Sequence, residues 1–339
     1  MKTKTVLAAA LVVSLTVTAM VALAGEIGHY APGVPNIRDF TVPDPGFYGV
    51  VYNYWYSTDR LNDRNGNKVS SVTVGPGPGV TLGLDVDVDV YALSPVFIWV
   101  SDWRFLGAKY AAYIAPSFSS SSIGAALSTV TGSGRSGNIS SEFGVGDLFV
   151  QPLWLGWSRP NWDFALGYGF YAPVGRYNTE TVTILGKSFK AESADNLGLG
   201  FWEQQIQGAA SWYPWTDKRM AVSGALTYGI PQSKDGFDFT AGQNLTLNWG
   251  ISQYLPLKKD QTLLLEIGPA GYDSWQITDD SGSAAKNPSV HDQVHGVGGQ
   301  LGLTYVPWNA ALNFHYFYEF AAQDRFQGQS IGLNFAMKF

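Results

Sequence analysis

Q-S-I-G-L-N-F-A-M-K-F, the stretch from Gln329 to Phe339, is the part of this sequence that decides the fold. Its apolar residues alternate with small or polar ones, so the side chains repeat with a period of two. That period predicts a β-strand with one wholly apolar face, over roughly the 9–11 residues that a tilted strand needs to cross a bilayer. A strand of a soluble β-sandwich has the same alternation, so this stretch alone leaves both classes open.

The aromatic residue at the carboxy terminus favours the membrane class. A last strand with one apolar face that closes on Phe is typical of outer-membrane barrels, and such an end resembles the tag read by the barrel-assembly machinery. We therefore expect Phe339 to contact that machinery during insertion. On this interpretation the preceding strands should repeat the same alternation.

The amino terminus has the features of a secretory signal peptide. A basic start, M-K-T-K-T, is followed by an apolar run over residues 6–23 and by a small-residue triplet that ends at Ala24. We predict export with cleavage after Ala24 and not a retained membrane helix. Cleavage removes two lysines and changes the formal net charge from −6 to −8, which argues against a nucleic-acid partner.

The composition also favours a membrane barrel. Charged residues make up 14% of the chain, against about 25% in soluble domains, while aromatic residues reach 14% and glycine numbers 39. Aromatic girdles at the two interfaces are a feature of transmembrane barrels. A β-rich secreted lectin has a similar composition. The sequence has no cysteine, which excludes disulfides, thiolate metal sites and cysteine nucleophiles.

The period-two patterning continues along the chain. About twelve such strands can be placed, joined by links that alternate between long and short. An even strand number, long outer loops, tight periplasmic turns and periplasmic chain ends characterise bacterial outer-membrane barrels. The blade repeat of a soluble propeller is not found. The sequence predicts an all-β fold, a transmembrane antiparallel up-and-down β-barrel of about 12 strands in the bacterial outer membrane.

Three regions follow from this interpretation. Residues 1–24 are the signal peptide, residues 25–45 are a Pro-rich lead-in that is either periplasmic or lumenal, and residues 46–339 form the barrel.

Side-chain parity assigns each strand a lipid face and a lumen face. The alternating tyrosines of residues 48–56 are expected to face lipid. In the next strand, valines facing lipid would direct Asp85, Asp87 and Asp89 into the lumen. Such a row would attract cations or hold calcium. The alternative is that these acids pair with lumen cations such as Lys109, since unpaired like charges would raise one another's pKa.

Parity is less secure near two prolines. It places Trp154 on the lipid face, but Pro95 and Pro152 interrupt their strands. A register slip at either proline would exchange the two faces of the residues that follow.

Four stretches carry a family resemblance: Gly144–Trp157, Tyr171–Tyr177, Asn196–Trp202 and Gly268–Gln276. They resemble the meta-pathway of phenol degradation family of outer-membrane proteins, and the resemblance extends from the Pro-rich lead-in to the terminal Phe. It implies an outer-membrane barrel that helps aromatic or other hydrophobic compounds to cross the membrane. It implies no catalysis of a pathway step, and it assigns no binding residues.

Aromatic residues on the lumen parity are candidates to line a solute path. They are Tyr91, Tyr113, Phe149, Tyr171, Phe201 and Phe317. Rings inside a barrel can pass or hold an apolar solute, whereas a general water-filled porin would prefer charged side chains. The alternative is that the rings only fill space.

His315 and Glu319 complete the predicted lumen set, four residues apart on the polar face of one strand. No nucleophile is placed beside His315 by the sequence, so no catalytic set is specified. Neither a metal site nor a cofactor is expected.

These observations together predict a monomeric, passive outer-membrane channel for small hydrophobic, in particular aromatic, compounds. A general diffusion porin and a structural barrel without a transport role are the alternatives. The expected partners are the solute, outer-membrane lipids and the barrel-assembly machinery. Neither enzymatic activity nor nucleic-acid binding is expected.

Overall fold

The computed structural model describes residues 28–74, 80–128, 134–184, 187–193 and 195–339. These residues contain sixteen β-strands and one short 3-10 turn, Val306–Trp308. The strands are β1 (Gly46–Thr58), β2 (Ser71–Val74), β3 (Val80–Phe105), β4 (Ala108–Ser128), β5 (Gly134–Ser140), β6 (Gly144–Ser158), β7 (Trp162–Ala172), β8 (Thr179–Ile184), β9 (Lys187–Glu192), β10 (Glu203–Trp212), β11 (Met220–Pro231), β12 (Asn244–Pro256), β13 (Leu263–Gln276), β14 (Gln293–Tyr305), β15 (Ala310–Gln323) and β16 (Gln329–Lys338). In this part of the chain no helix has both the length and the hydropathy of a membrane span. The predicted signal peptide lies outside the described residues.

Twelve of the strands close into a barrel. In chain order β1, β3, β4, β6, β7 and β10 to β16 each pair antiparallel with the next, and β16 pairs with β1 to complete the circle. Closure removes the two edges of an open sheet and pairs the backbone groups that hydrocarbon could not satisfy. The predicted all-β up-and-down barrel is confirmed.

The links between strands alternate in length. Leu106 and Gly107, both with positive φ, turn β3 into β4, and the 3-10 turn joins β14 to β15. The barrel begins and ends beside these short turns, where the Phe339 N–H donates to the Phe47 carbonyl (2.9 Å). The short turns and both barrel ends therefore share one side, as expected for the periplasmic side.

The opposite side contains more strand than the sequence predicts. Residues 61–81 and 119–141 are expected to be long loops, but β3 has 26 residues and β4 has 21. Their outer parts pair with the short strands β2 and β5. Because a tilted strand crosses a bilayer in roughly 9–11 residues, these extensions project beyond the membrane. A separate hairpin of β8 and β9 lies in the link between β7 and β10.

The predicted lipid face of β16 is confirmed by exposure. Ile331 and Leu333 are 41% and 40% exposed, whereas Ser330 and Asn334 are each 1% exposed. β7, β12 and β15 show the same alternation. Large exposed aromatic residues near the short turns mark the periplasmic boundary of the membrane. They are Phe47, Trp103, Phe105, Trp162, Trp212, Trp308 and Phe339.

β1 has the opposite orientation to the predicted one. Its alternating tyrosines face the lumen, where Tyr52 donates to Asp39 (2.7 Å) and Tyr56 donates to Glu319 (2.8 Å). Trp55 lies on the outward face instead. The prediction is wrong because it equates aromatic with lipid-facing. A tyrosine ring covers apolar surface inside the barrel while its hydroxyl reaches a buried carboxylate.

The outer part of β3 is also reversed. Asp85, Asp87 and Asp89 are exposed on the outward face, while Val86 is buried inside against Leu61. This part of β3 lies beyond the membrane, where the outward face meets water and the inward face packs under the loops. The polarity of the two faces therefore inverts relative to the membrane-spanning part of the strand.

Trp154 of β6 faces the lumen and not the lipid. It is 5% exposed and packs against Phe40. The register of β6 against β7 shifts between Val150 and Leu153, a stretch that contains Pro152. The register shift that Pro152 makes possible is therefore present, and it exchanges the lipid and lumen faces of the residues that follow.

Residues 28–45, which we call the lumen segment, contact inward-facing side chains of the barrel. The segment starts at the outer end, where His29 meets Glu203 at the beginning of β10. It ends at the short-turn side, where Val42 packs so closely on Gly156 that no Cβ would fit there. The sequence allows a periplasmic or a lumenal lead-in, and these contacts are with the lumen. The division of the chain at residues 24 and 45 stays a prediction.

Candidate functional site

Inward amides of the barrel anchor the middle of the lumen segment. The N–H of Gly33 donates to Asn248 Oδ1 (2.9 Å), and the N–H of Ile37 donates to Gln300 Oε1 (2.9 Å). The segment has no strand or helix ladder of its own, so its backbone groups need side-chain partners. The amide-bearing inner face of β12 and β14 supplies them.

Arg38 is the strongest polar anchor of the segment. Its Nε donates to Glu266 Oε1 (2.9 Å) and to Ser252 Oγ (2.9 Å), and its terminal nitrogens donate to the carbonyls of Lys218 (3.0 Å) and Arg219 (2.9 Å). The Glu266 side chain is only 5% exposed. Removing one member of such a pair leaves a buried charge without compensation.

The short-turn half of the lumen is apolar. Phe40 and Val42 pack into one cluster with Trp154 and small inward residues of neighbouring strands. Lys109, one of the predicted lumen residues, lies at this end, and its Nζ is 3.2 Å from the Asp44 carboxylate. The segment therefore fills this half of the barrel with side chains.

At the outer end, His29 is held between two buried carboxylates. Its Nδ1 lies 2.9 Å from Glu203 Oε2, and its backbone N–H donates to the same oxygen (2.7 Å). Its Nε2 lies 2.9 Å from Asp147 Oδ2. The ring stacks on Tyr171 (4.6 Å between centroids, 16° between planes) and meets Phe201 edge-on (4.8 Å). We call His29, Asp147 and Glu203 the His29 clamp.

The clamp favours the charged form of the imidazole. His29 lies outside the membrane-spanning strands, and burial alone would lower its pKa. The hydrogen bonds to Asp147 and Glu203 outweigh burial, so the pKa of His29 is raised above its ordinary value of 6.5. Asp147 also accepts the N–H groups of Gly175 (2.9 Å) and Leu199 (2.8 Å), which ties the clamp to the β7–β10 link.

Four of the predicted aromatic residues meet beside the clamp. Tyr113, Phe149, Tyr171 and Phe201 form what we call the outer aromatic group. Ring centroids are 5.6 Å apart for Tyr113 and Phe149 and 4.5 Å apart for Phe149 and Tyr171. The group presents a continuous wall of rings on the inner surface of β4, β6 and β7, with Phe201 added from the link before β10.

Phe317, His315 and Glu319 lie in the lumen but apart from this group. The Phe317 ring is 5.4 Å from that of Tyr272 and 5.5 Å from that of His315. Glu319 accepts the hydroxyls of Tyr272 (3.0 Å) and Tyr56 (2.8 Å). Within the described residues neither ring nitrogen of His315 has a hydrogen-bond partner, so no nucleophile or carboxylate is positioned by it.

Four of the remaining predicted lumen residues do not face the lumen. Asp85, Asp87, Asp89 and Tyr91 are on the outward face, where Tyr91 contacts Trp55 (5.2 Å between ring centroids). Lys109 pairs with Asp44 at the far end of the barrel. Both interpretations of the acidic row, as a lumenal cation site and as partners of Lys109, are therefore wrong. Among the described residues, no group of three or more His, Asp or Glu is arranged to hold a metal ion.

The sequence analysis missed the His29 clamp entirely. Its members are 118 and 174 positions from His29 in the chain, so no local spacing connects them. A weak signal existed in two acids within otherwise apolar motifs, Asp147 in G-V-G-D-L-F-V and Glu203 in G-F-W-E. A buried acid requires a hydrogen-bond or ion-pair partner, so Asp147 and Glu203 each indicate a partner elsewhere in the chain.

Several solved structures are similar to this chain. The outer membrane channel COG4313 of Pseudomonas putida F1 is 17% identical, and the match covers 92% of this chain and 100% of that chain with a TM-score of 0.52. The β domain of the Bordetella autotransporter BrkA is 10% identical (87% and 100% covered, TM-score 0.47). The CymD monoaromatic hydrocarbon channel is 10% identical (88% and 89% covered, TM-score 0.43). No curated protein sequence matches significantly.

The first of these structures shows the fold, that of an outer-membrane barrel. The family model described as "Putative MetA-pathway of phenol degradation" matches residues 58–335, which is most of the chain. The protein is therefore a β-barrel of the bacterial outer membrane that belongs to this family.

Proposed function

We propose that this barrel is a passive channel for the uptake of small hydrophobic, in particular aromatic, compounds across the outer membrane. The observation that carries the proposal is the outer aromatic group, a wall of rings that extends from the apolar cluster of the short-turn half towards the outer end of the lumen. Such rings give an apolar solute a favourable surface that charged porin walls lack. The family and the description of the P. putida protein as an outer membrane channel support the same function.

Passage through this channel requires the lumen segment to move. The segment occupies the lumen from His29 to Val42. A cavity beside Gly28 and Arg325 has a volume of about 10 Å³, which is the space of a single water molecule. The arrangement is thus a closed state, and conduction depends on displacing the segment from part of the wall.

Two other functions make different predictions. A general diffusion porin would pass a sugar as readily as an aromatic solute of equal mass, and a structural barrel would pass neither. The proposal includes no catalytic step. It also takes the barrel to be a monomer, because the sheet closes within one chain.

Flux into protein-containing vesicles tests the proposal. We would compare tyramine, a charged aromatic that bare lipid excludes, with a sugar of similar mass. Replacing Phe149 and Tyr171 together by Ala should slow tyramine, because each lost contact surface removes about 25 cal/mol per Å² of apolar attraction. The sugar should pass unchanged or faster through the wider bore.

The matched control replaces an aromatic residue on the lipid face. Phe164→Ala removes a ring that is 44% exposed on the outside of β7 and should leave both fluxes unchanged. If the lumen variant passes both solutes faster, the rings are filler and a general porin is the better assignment. If the wild type passes neither solute above empty vesicles, the channel function is refuted.

A further inference from the structure

The imidazole of His29 occupies a slot that is shaped for a flat ring. One face of the slot is the Tyr171 ring, nearly parallel to the imidazole at 4.6 Å, and Phe149 backs Tyr171 at 4.5 Å. Phe201 closes the side at 4.8 Å with an interplanar angle of 74°. Stacked and edge-to-face arrangements at these distances are the favourable geometries for aromatic pairs.

The slot also has two hydrogen-bond acceptors at the rim of the ring. Glu203 Oε2 and Asp147 Oδ2 are each 2.9 Å from one ring nitrogen of His29. The Glu203 side chain is fully buried and that of Asp147 is 5% exposed. Buried carboxylates are costly unless they receive hydrogen bonds, so the slot favours an occupant that donates at both positions.

His29 is a removable occupant, because the slot is built by other parts of the chain. Tyr171, Asp147 and Glu203 come from β7, β6 and β10, whereas His29 belongs to the lumen segment. Without His29, Asp147 keeps the N–H groups of Gly175 and Leu199. Glu203 loses both of its hydrogen bonds from His29, and within the part of the chain that the structure describes it keeps a long contact with Asn244 (3.3 Å).

We propose that this slot is a solute-binding site for planar aromatic rings with two hydrogen-bond donors close together on one edge, and that His29 is a built-in occupant which the solute displaces. The inference rests on the proposed channel function and narrows its substrate class. The two imidazole nitrogens are separated by one carbon atom. Hydroxyls on adjacent carbons of a benzene ring have a similar spacing, whereas hydroxyls at opposite ends are separated by the full width of the ring.

The charge of the slot defines the class further. Two carboxylates exclude anionic rings and disfavour pure hydrocarbons, which would give Glu203 no donor in place of His29. The Nζ of Lys234 is 6.0 Å from the Phe201 ring and 2.5 Å from Glu192, so this cation is engaged with a third carboxylate. Neutral rings with donors, or cationic ones, are the class that fits.

Displacement of His29 also sets the affinity. In the wild type the imidazole competes for the slot, so the apparent affinity for a solute is reduced by the small fraction of molecules in which the slot is vacant. Removing the imidazole should abolish this competition. His29→Ala vacates the slot, and His29→Asn vacates it while keeping an amide donor near Glu203.

Calorimetric titration of the purified barrel in detergent tests the site, with oxygen-free buffer to protect the ligands. The three probes are catechol, its isomer hydroquinone, and cis-cyclohexane-1,2-diol, which keeps the adjacent hydroxyls but lacks the flat ring. We expect catechol to bind both His29 variants roughly tenfold or more tightly than it binds the wild type. The other two probes should gain less than about threefold, because each lacks one of the two required features.

Two further variants complete the test. Tyr171→Leu in the His29→Asn background should remove the gain for catechol. His291→Ala breaks an exposed imidazole–carboxylate pair with Asp279 (2.8 Å) and should leave every affinity unchanged. Variants are compared only as heat-modifiable barrels, and the Asn variant decides the outcome if the Ala variant does not fold.

The proposal is overturned if neither His29 variant gains affinity for catechol, or if all three probes gain equally, which would indicate only a non-selective void. The binding readout is independent of transport. If tyramine passes through the channel but the His29 variants do not bind catechol more tightly than the wild type, the slot is refuted and the channel function is unaffected. A catechol gain in a barrel that conducts nothing supports the slot and refutes the channel function.

Discussion

Arg38→Met should release the lumen segment from the barrel wall. The substitution keeps an extended side chain but removes the donors to Glu266, Ser252 and two backbone carbonyls. Breaking a buried ion pair from one side costs about 3–5 kcal/mol. The Arg38 side chain is 18% exposed, so water offsets part of this loss and the lower figure, about 3 kcal/mol, applies. At about 1.4 kcal/mol per factor of ten, the undocked population should rise roughly a hundredfold.

Hydrogen exchange with mass spectrometry measures this population directly. The amides of Gly33 and Ile37 donate to Asn248 and Gln300 only while the segment is docked, so their exchange rates follow the opening equilibrium. These amides should exchange about a hundredfold faster in Arg38→Met. The barrel strands should keep wild-type protection, because their ladders do not involve Arg38.

Two control variants distinguish release of the lumen segment from a general loss of stability. Arg219→Met removes an exposed ion pair with Asp217 (3.2 Å) and should change exchange less than about fivefold, since such pairs contribute at most about 1 kcal/mol. Combining Arg38→Met with Glu266→Leu removes the orphaned charge as well, and it should restore part of the lost protection. Unchanged exchange in Arg38→Met, or equal effects of Arg38→Met and Arg219→Met, would show that Arg38 does not anchor the lumen segment.

Three other predictions concern assembly, orientation and pH. Deleting Phe339, whose N–H pairs with the Phe47 carbonyl, should reduce the heat-modifiable barrel in outer-membrane fractions; unchanged amounts would contradict a role in assembly. Phe314→Arg, at a lipid-facing position within β15, should cost roughly 2–4 kcal/mol when folding into vesicles is measured, against about 0–1 for Trp308→Arg at the short turn. Equal costs would show that the two positions are not at different depths. The pKa of His29 is raised in the folded protein, so the stabilisation by its clamp is fully present below the ordinary pKa of 6.5 and is lost as pH rises through the raised value. Among the described residues, the titratable groups that contact the ring are Asp147, Tyr171 and Glu203. Tyramine flux in excess of that into empty vesicles should increase with pH in the wild type but not in His29→Gln.

The sequence predicts the fold well where each face of a strand contacts the same environment along its whole length. β16 and β15 face hydrocarbon along their outward rows, so their alternation is unambiguous and the register follows from it. The outer part of β3 has the same alternation, but it lies beyond the bilayer. Water is outside and packed loops are inside there, which is why Asp85 to Asp89 are placed on the wrong face. The alternation identifies the strand, and the surroundings decide which of its two faces is apolar.

The lumen was harder to predict because its chemistry is set by a segment without periodicity. The inward tyrosines of β1 are explained by Asp39, which belongs to the lumen segment, and by Glu319 on β15. Glu319 is far from β1 in the sequence, and Asp39, although it lies shortly before β1, belongs to a segment without periodicity. A pattern-based analysis could find the aromatic residues of the outer group, but it could not find the imidazole that occupies the slot between them. That contact exists only once residues 118 and 174 positions apart are brought together.

The two ends of the lumen segment are held by different forces, and this difference gives the proposed channel a direction of opening. At the short-turn end, Phe40 and Val42 are buried in an apolar cluster, and the chain continues covalently into β1 at Gly46. At the outer end, the clamp depends on the single side chain of His29, with Gly28 before it offering no side chain to bury. Local opening follows the weakest cooperative unit, so the outer end should leave first. It does so beside the outer aromatic group, where a ring-bearing solute arriving from outside would meet the vacated slot.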